Sequence, residues 1–286
     1  MRPAERAVYD VARVPLRRNT LGDYFSSIAR IYRETATAQK YAAERLFWML
    51  RIERNDDVLD LGCGTGHLAQ EIRQLTDGRV VGMDASPEMI KLAKEAAPDG
   101  IEFVVGPAED LDMPGQFDAI FCNSAFQWFT DEPRALTNCY KALRPDGRMV
   151  MQAPARREYC PNFIRAVAAL AEDPRTAETW SHFRTPWTFY ETAEEYERLF
   201  TDAGFALVGG EIEELREHCT PSRALDMFDS GAAAAYLNPA CYDVEWPDGY
   251  LEAAREIVLA DLRTQAGPKR RMELVFSRVY VLARRP

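Results

Sequence analysis

In the middle third of the chain, short apolar runs alternate with stretches of helical periodicity. This alternation is typical of a parallel sheet whose strands are joined by crossover helices. The predicted strands are Val58–Leu61, Val80–Met83, Ile101–Val105, Ala119–Cys122, Met149–Gln152, Phe205–Ile212 and Met272–Leu282. The pattern therefore predicts an α/β fold built on one mostly parallel sheet.

Polar residues mark where helices begin and end. Ser86-Pro87 predicts a helix start after the second strand, because serine caps free backbone amides and proline suits the first turn. The run Thr192–Glu195 is a capping box, and Gly204 suits the left-handed conformation that ends a helix. Two further stretches, 156–191 and 216–269, are rich in aromatic residues and helical patterns, and we expect them to form a lid.

The chain has 286 residues, of which 47% are hydrophobic, enough for a sizeable core. We predict an N-terminal helical cap at 1–50, a ligand-binding core at 51–155 and a lid insertion at 156–191. The remainder, 192–286, would complete the core sheet and contain a second helical insertion at 216–269.

Charge and composition limit the kinds of partner and cellular location that we expect. A formal net charge of -10 repels phosphate backbones, so nucleic acid is not an expected partner. Residues 1–10 contain no apolar run, and no apolar stretch of about 18 residues occurs, so we expect neither export nor a membrane span. The six cysteines are scattered without a C-x-x-C pair, which predicts no metal site and a cytoplasmic protein.

A glycine-rich turn follows the first strand in the run Val58–Gly66 (VLDLGCGTG). Glycines allow the backbone to pass close to a ligand at the carboxyl end of a strand. A dinucleotide site would need G-x-G-x-x-G, but His67 occupies the place of the third glycine, which argues against NAD. The carboxylate of Asp60 disfavours a pyrophosphate and can accept hydrogen bonds from an ammonium group or from the turn itself. The alternative is a strained turn that binds nothing.

A second acid, Asp84, ends the second strand, where a carboxylate can accept hydrogen bonds from both ribose hydroxyls. The turn Ala108–Asp110 after the third strand could read an adenine amino group. Acids at adjacent strand ends favour a nucleoside ligand, although each could also be an ordinary solvated turn residue.

Taken together, Val58–Gly66, Asp84, Ala108–Asp110 and the turn Leu143–Gly147 resemble class I S-adenosylmethionine-dependent methyltransferases. The resemblance implies a Rossmann-like sheet of seven strands whose last strand is antiparallel, and S-adenosyl-L-methionine as the cofactor. It places the glycines at the methionine part, Asp84 at the ribose and the Ala108–Asp110 turn at the adenine. The full set of expected cofactor-binding residues is Asp60, Gly62, Cys63, Gly64, Gly66, Asp84, Ala85, Ala108, Glu109, Asp110, Asn123, Tyr24 and Tyr32.

Two groups within that family are similar to this chain in further segments. The N-terminal stretch from Tyr24 to Leu46 looks like malonyl-acyl-carrier-protein O-methyltransferases, and Phe117–Phe129 is similar both to those and to trans-aconitate methyltransferases. Both groups esterify carboxylates, which implies a small-molecule or carrier-bound acceptor. The ending Phe276–Tyr280 departs from the carrier-protein enzymes, so both acceptor types remain open.

The expected chemistry assigns roles to a few more residues. Gln127 and Trp128 follow the fourth strand and would form a floor beside the sulfonium. A carboxylate acceptor needs no general base, whereas a hydroxyl or amine would, and His182 is then the best candidate. Arg184 or Arg278 could bind a carboxylate through two hydrogen bonds. The alternative for His182 is a histidine that only packs within the lid, and the alternative for each arginine is an internal ion pair.

Other functions stay open at this stage. Enzymes that methylate adenine bases or protein glutamine usually carry an Asn-Pro-Pro-Tyr type sequence after the fourth strand, and this chain does not. A natural-product O-, N- or C-methyltransferase, or a binding protein without catalysis, would share the same features. The sequence does not indicate an oligomeric state.

Overall fold

The computed structural model describes residues 37–286, with side chains from residue 42 onward. Tyr24, Tyr32 and most of the predicted N-terminal cap lie outside the described residues. The described chain consists of two compact units. The core unit comprises 37–156, 187–213 and 278–286, and the insertion unit comprises 157–186 and 214–277.

The strands are β1 (Val58–Leu61), β2 (Val80–Asp84), β3 (Ile101–Val105), β4 (Phe117–Asn123), β5 (Leu143–Pro154), β6 (Ala206–Cys219) and β7 (Met272–Arg284). The helices are α1 (Thr37–Leu50), α2 (His67–Leu75), α3 (Pro87–Ala96), α4 (Glu132–Ala142), α5 (Pro161–Ala168), α6 (Ala177–Trp180), α7 (Ala193–Asp202), α8 (Pro221–Asp229), α9 (Ala233–Tyr236) and α10 (Tyr250–Ala266). Short 3₁₀ turns occupy Ala108–Asp110, Phe126–Trp128, Ala169–Ala171, Pro239–Cys241 and Gly267–Lys269.

The predicted helix signals are confirmed. The Ser86 hydroxyl accepts a hydrogen bond from the Met89 amide, and Pro87 occupies the first turn of α3. Thr192 and Glu195 form the reciprocal capping box of α7, and Gly204 follows that helix at a φ of 99°.

Seven strands form one sheet in the order β3-β2-β1-β4-β5-β7-β6. The pairings from β3 through β5 are parallel, and β7 runs antiparallel to β5. The predicted seven-stranded sheet with an antiparallel last strand is therefore confirmed.

Five predicted strands, those of β2, β4, β5, β6 and β7, were too short. The most informative is β5, which begins at Leu143 rather than Met149 and so includes the predicted turn. The turn is present as an irregular segment within β5, where Asp146 has a φ of 64° and the pairing with β4 shifts register. The last strand holds it, because the Asp146 amide donates to the Arg285 carbonyl at 2.9 Å and the Arg285 amide donates to the Gly147 carbonyl at 2.8 Å.

Side-chain alternation separates the two faces of the sheet. On β1, Leu59 and Leu61 belong to a buried cluster with α4 and α7, whereas Val58 belongs to a cluster with α1, α2 and α3. The same alternation places Phe121 and Val150 on the α1 side. Burying both faces explains why these strands are almost continuously apolar.

The insertion unit has its own aromatic core. The Trp180 and Phe183 rings stack with centroids 5.0 Å apart, and Phe183 also packs against Tyr236 at 5.3 Å. Among residues 37–286, no helix combines the length and apolar composition needed to cross a bilayer. Over the same residues, no cluster of acidic, histidine and cysteine side chains could hold a metal ion.

Candidate cofactor and acceptor site

The carboxyl ends of the central strands carry polar side chains on one face of the sheet. Asp60 and Asp84 have the same alternation as Val58 and Val80, and Asn123 has that of Phe121, so all three lie on the α1 side. Gln152 lies directly opposite Asn123 on β5, and Arg278 of β7 lies opposite Pro154. Strand register therefore gathers these side chains at one edge of the sheet.

The glycine turn after β1 is pinned to β2. The amides of Gly62 and Cys63 both donate to the Met83 carbonyl, at 2.7 and 3.0 Å. Gly62 and Gly64 have φ values of 76° and 54°, a backbone conformation that residues with a side chain rarely adopt. A Cβ added at Gly62 would lie 2.2 Å from the Ala125 Cβ, whereas one added at Gly64 would meet no atom of residues 37–286 within 4 Å. The turn is thus packed at Gly62 and faces open space at Gly64.

The carboxylate of Asp84 organises this turn. One oxygen accepts the Gly64 amide at 2.9 Å, and the other accepts the Ser86 amide at 2.8 Å. Desolvation raises the pKa of Asp84, and the two amides act to lower it. Asp84 therefore couples the glycine turn to the start of α3, and each of its oxygens keeps a lone pair that a ribose hydroxyl could use.

Asp60 is buried beneath the turn, and its Oδ2 has no hydrogen-bond partner within the described residues. Burial, followed by the charge of Asp84, raises the pKa of Asp60 to about 8. Without a ligand, this carboxyl group is therefore mostly protonated at neutral pH. An orphaned acid beside an open glycine turn fits a cationic amino-acid group such as the methionine part of S-adenosylmethionine.

We expect Asp60 to make the stability of the ligand-free protein pH-dependent. Its pKa is raised above the unfolded value, so its contribution is complete below about pH 4 and is lost as the pH rises through about 8. Asp60→Asn does not titrate and should gain stability over wild type as the pH rises, on the order of 1–3 kcal/mol at pH 8. Urea denaturation at pH 5, 6.5 and 8 measures this gain.

The exposed acid Asp99 provides the control, since Asp99→Asn should leave the pH profile unchanged. Parallel wild-type and Asp60→Asn profiles would contradict the prediction.

The turn after β3 is tied to the start of α4. Oε1 of the buried Glu109 accepts hydrogen bonds from the Thr130 amide (2.5 Å), the Thr130 hydroxyl (2.8 Å) and the Asp131 amide (3.1 Å). The neighbouring Asp110 forms an exposed ion pair with Arg134 at 3.1 Å. Both carboxylates thus contact protein groups, so we expect an adenine to meet mainly the backbone of this turn.

The segment after β4 forms the next part of the edge. Phe126 is buried in the core between Phe129 and Tyr196. Trp128 packs edge-on against Trp187 at 5.4 Å. Gln127 donates from Nε2 to the Ser124 carbonyl at 2.9 Å, while its Oε1 is buried without a partner in the described chain.

Sequence reasoning missed two residues at this edge, Ser124 and Gln152. The Ser124 hydroxyl donates to Gln152 Oε1 at 3.0 Å and accepts from Arg278 Nη1 at 3.4 Å. The signal for Gln152 was a single polar residue within the apolar strand run Met149–Ala153. Ser124 has a φ of 55°, which no sequence pattern announces.

The remaining predicted site residues are His182, Arg184, Cys63 and Ala85. His182 and Arg184 belong to the insertion unit, where Arg184 forms an ion pair with Asp243 at 2.7 Å and donates to the Phe183 carbonyl at 2.9 Å. A carboxylate at Arg184 would therefore compete with Asp243. Cys63 is buried with Sγ 3.7 Å from the Gly64 carbonyl, and Ala85 is an exposed residue between Asp84 and the α3 cap.

Comparison with known proteins agrees with this geometry. A family described as "Methyltransferase domain" matches residues 52–204. A malonyl-[acyl-carrier protein] O-methyltransferase from Ilyobacter polytropus is 30% identical over 47% of this chain and 52% of its own length. A trans-aconitate 2-methyltransferase from Azoarcus sp. is 29% identical over 72% of this chain and 88% of its own length. The chain thus spans only about half the length of the malonyl relative.

Solved structures show the same fold. A chain from the complex between the Haloferax volcanii Trm112 methyltransferase activator and a methyltransferase superposes with a TM-score of 0.56. The two sequences are 19% identical, and the match covers 96% of this chain and 99% of that one. The family match covers more than half of this chain, so the chain belongs to the S-adenosylmethionine-dependent methyltransferases.

Proposed function

We propose that this methyltransferase esterifies a carboxylate, carried either by a small molecule or by an acyl group on a carrier protein. The observation that carries the proposal is the position of Arg278. Arg278 is only 7% exposed, and its Nη1 donates to the Ser124 hydroxyl just after β4. A buried arginine favours an anionic acceptor, because it can engage both oxygens of a carboxylate.

The polar side chains at this edge of the sheet support the same choice. Asn123, Ser124, Gln127 and Gln152 are all uncharged, and among these described neighbours none is a general base. A carboxylate is already ionised at neutral pH and needs no base, whereas a hydroxyl or an ammonium must lose a proton. The site is therefore suited to orienting an acceptor that arrives ready to react.

The cofactor supplies an electrophilic methyl group on sulfur. As the bond from a carboxylate oxygen to the methyl carbon forms, the carbon–sulfur bond breaks, giving a methyl ester and S-adenosylhomocysteine. The contribution of the chain is to hold the acceptor in line and to exclude water, which can account for much of the rate. Trp128 and Trp187 provide an apolar wall for this purpose.

The two relatives described above suggest the acceptors to test first. Their names specify malonyl groups on a carrier protein and trans-aconitate, both of which contain free carboxylates. We propose that the purified protein methylates a di- or tricarboxylic acid or a malonyl-carrier conjugate, with mass spectrometry detecting the added methyl. Release of methanol in mild base identifies an ester. A base-stable product would overturn the carboxylate assignment and point to an O-ether, N- or C-methyl product.

Arg278→Gln should lower kcat/KM for the carboxylate acceptor roughly 10- to 50-fold, because a charge-assisted hydrogen-bond pair is lost. The dissociation constant of the cofactor should not change, and Arg278→Lys should retain part of the activity because it keeps the charge. Steady-state kinetics and calorimetry measure the two effects.

Arg284 on the same strand provides the matched control. It is exposed, so Arg284→Gln should behave as wild type. Weakened cofactor binding in Arg278→Gln with an unchanged acceptor KM would contradict its assignment to the acceptor.

A further inference from the structure

Ser124, Gln152 and Arg278 form a hydrogen-bonded chain whose direction is fixed. An arginine guanidinium has only donors, so the contact from Arg278 Nη1 to the Ser124 hydroxyl must be donated by the arginine. The single proton of that hydroxyl is then directed to Gln152 Oε1, 3.0 Å away. The amide of Gln152 is therefore held with its oxygen toward Ser124 and its NH₂ group turned away.

The NH₂ group of Gln152 is unsatisfied. Gln152 is fully buried, and its Nε2 has no hydrogen-bond partner among the described residues. The neighbouring amide oxygen of Asn123, directly opposite on β4, is buried and likewise lacks one. A buried hydrogen-bond donor without a partner costs about 1–3 kcal/mol of stability, so the site favours binding of a ligand that supplies a hydrogen-bond acceptor.

The backbone around this pair is itself constrained. Ser124 adopts a φ of 55° and donates its amide to the Gln152 carbonyl at 2.8 Å. The side chain and main chain of Ser124 thus both engage Gln152. A non-glycine residue in this conformation is strained, and such strain is concentrated at functional positions.

We infer that Gln152 is a specificity-determining residue that donates its Nε2–H to an oxygen of the methyl acceptor, and that Ser124 is its positioning residue. The inference rests on the proposed function, since it takes the acceptor to be a carboxylate or an acyl oxygen. Arg278 supplies charge at the same edge, and Gln152 adds a directional neutral donor. An amine acceptor would instead meet a donor facing a donor and be disfavoured.

The test is kinetics with saturating S-adenosylmethionine and a dicarboxylate such as malonate as the acceptor probe. Gln152→Glu replaces the donor with a repelling carboxylate and should raise the acceptor KM at least tenfold. Gln152→Met, which is similar in volume, should give a smaller rise. The cofactor dissociation constant should stay at the wild-type value in both variants. Gln74→Glu, an exposed glutamine on α2, controls for the added charge.

Ser124→Gly separates positioning from structure. It relieves the φ of 55° while removing the hydroxyl, so a merely structural Ser124 would give a variant with unchanged KM. We expect instead a higher melting temperature together with an acceptor KM raised several-fold.

The outcomes distinguish the two claims. If wild type methylates the dicarboxylate but Gln152→Glu leaves the acceptor KM unchanged or weakens cofactor binding, the inference about Gln152 is wrong and the proposed function stands. If neither free dicarboxylates nor a malonyl-carrier conjugate is methylated while an amine is, the proposed function is wrong and the inference falls with it.

Discussion

Gly64→Ala is expected to raise the dissociation constant of S-adenosylmethionine roughly 100-fold, equivalent to about 2.7 kcal/mol, while the protein stays folded. The added methyl meets no atom of the described residues within 4 Å, so we expect it to enter the space at the end of β1 that the methionine part of the cofactor needs. The φ of 54° adds about 1–2 kcal/mol of backbone strain, a modest stability loss.

Gly62→Ala is the informative comparison. Both glycines have positive φ, but the added Cβ at Gly62 would lie 2.2 Å from the Ala125 Cβ, so the backbone must shift. Thermal denaturation should therefore show a larger loss for Gly62→Ala, and calorimetry a selective loss of affinity for Gly64→Ala. Wild-type affinity in Gly64→Ala would mean that the cofactor does not pass this turn.

The second large effect is expected at Asp84. Asp84→Ala leaves the amides of Gly64 and Ser86 without their acceptor, at about 1–3 kcal/mol for each orphaned donor. Because the same carboxylate is expected to bind the ribose, stability and cofactor affinity should fall together, the latter about 100-fold. This joint loss distinguishes Asp84→Ala from Gly64→Ala.

Asp84→Asn refines the prediction. An asparagine has one amide oxygen and so can accept from only one of the two backbone donors at a time. Its losses should lie between wild type and Asp84→Ala, whereas the exposed Asp99→Asn should match wild type in both measurements. Unchanged affinity in both Asp84 variants would reject the ribose assignment.

The central sheet was predictable because its signals are local. Apolar runs bounded by glycine and capping residues marked β1, β2 and β3, and the G-x-G-x-G register separated the site from a dinucleotide fold. The ends of long strands were not, since β5 begins with a turn that is held by contacts to β4 and to Arg285, just after β7. Neighbouring strands supply that information, and a window along the chain does not contain it.

The site divides in the same way. Asp60 and Asp84 stand at the ends of strands and could be placed from the sequence alone. The role of Gln152 depends instead on Ser124, which lies 28 positions away from it, and on Arg278, which lies 154 positions from Ser124. The pairing of Arg184 with Asp243 is similarly non-local. Side-chain networks that join distant strands are therefore the feature of the site that a single sequence does not predict.

The clamp that Glu109 forms on Thr130 and Asp131 has a mechanical consequence. The clamped residues come shortly after Phe126–Trp128, so one carboxylate links the turn expected to face the adenine to the wall expected to face the acceptor. A nucleoside seated against the first would brace the second before the acceptor arrives. Such a linkage favours an ordered sequence of binding in which the methyl donor enters first.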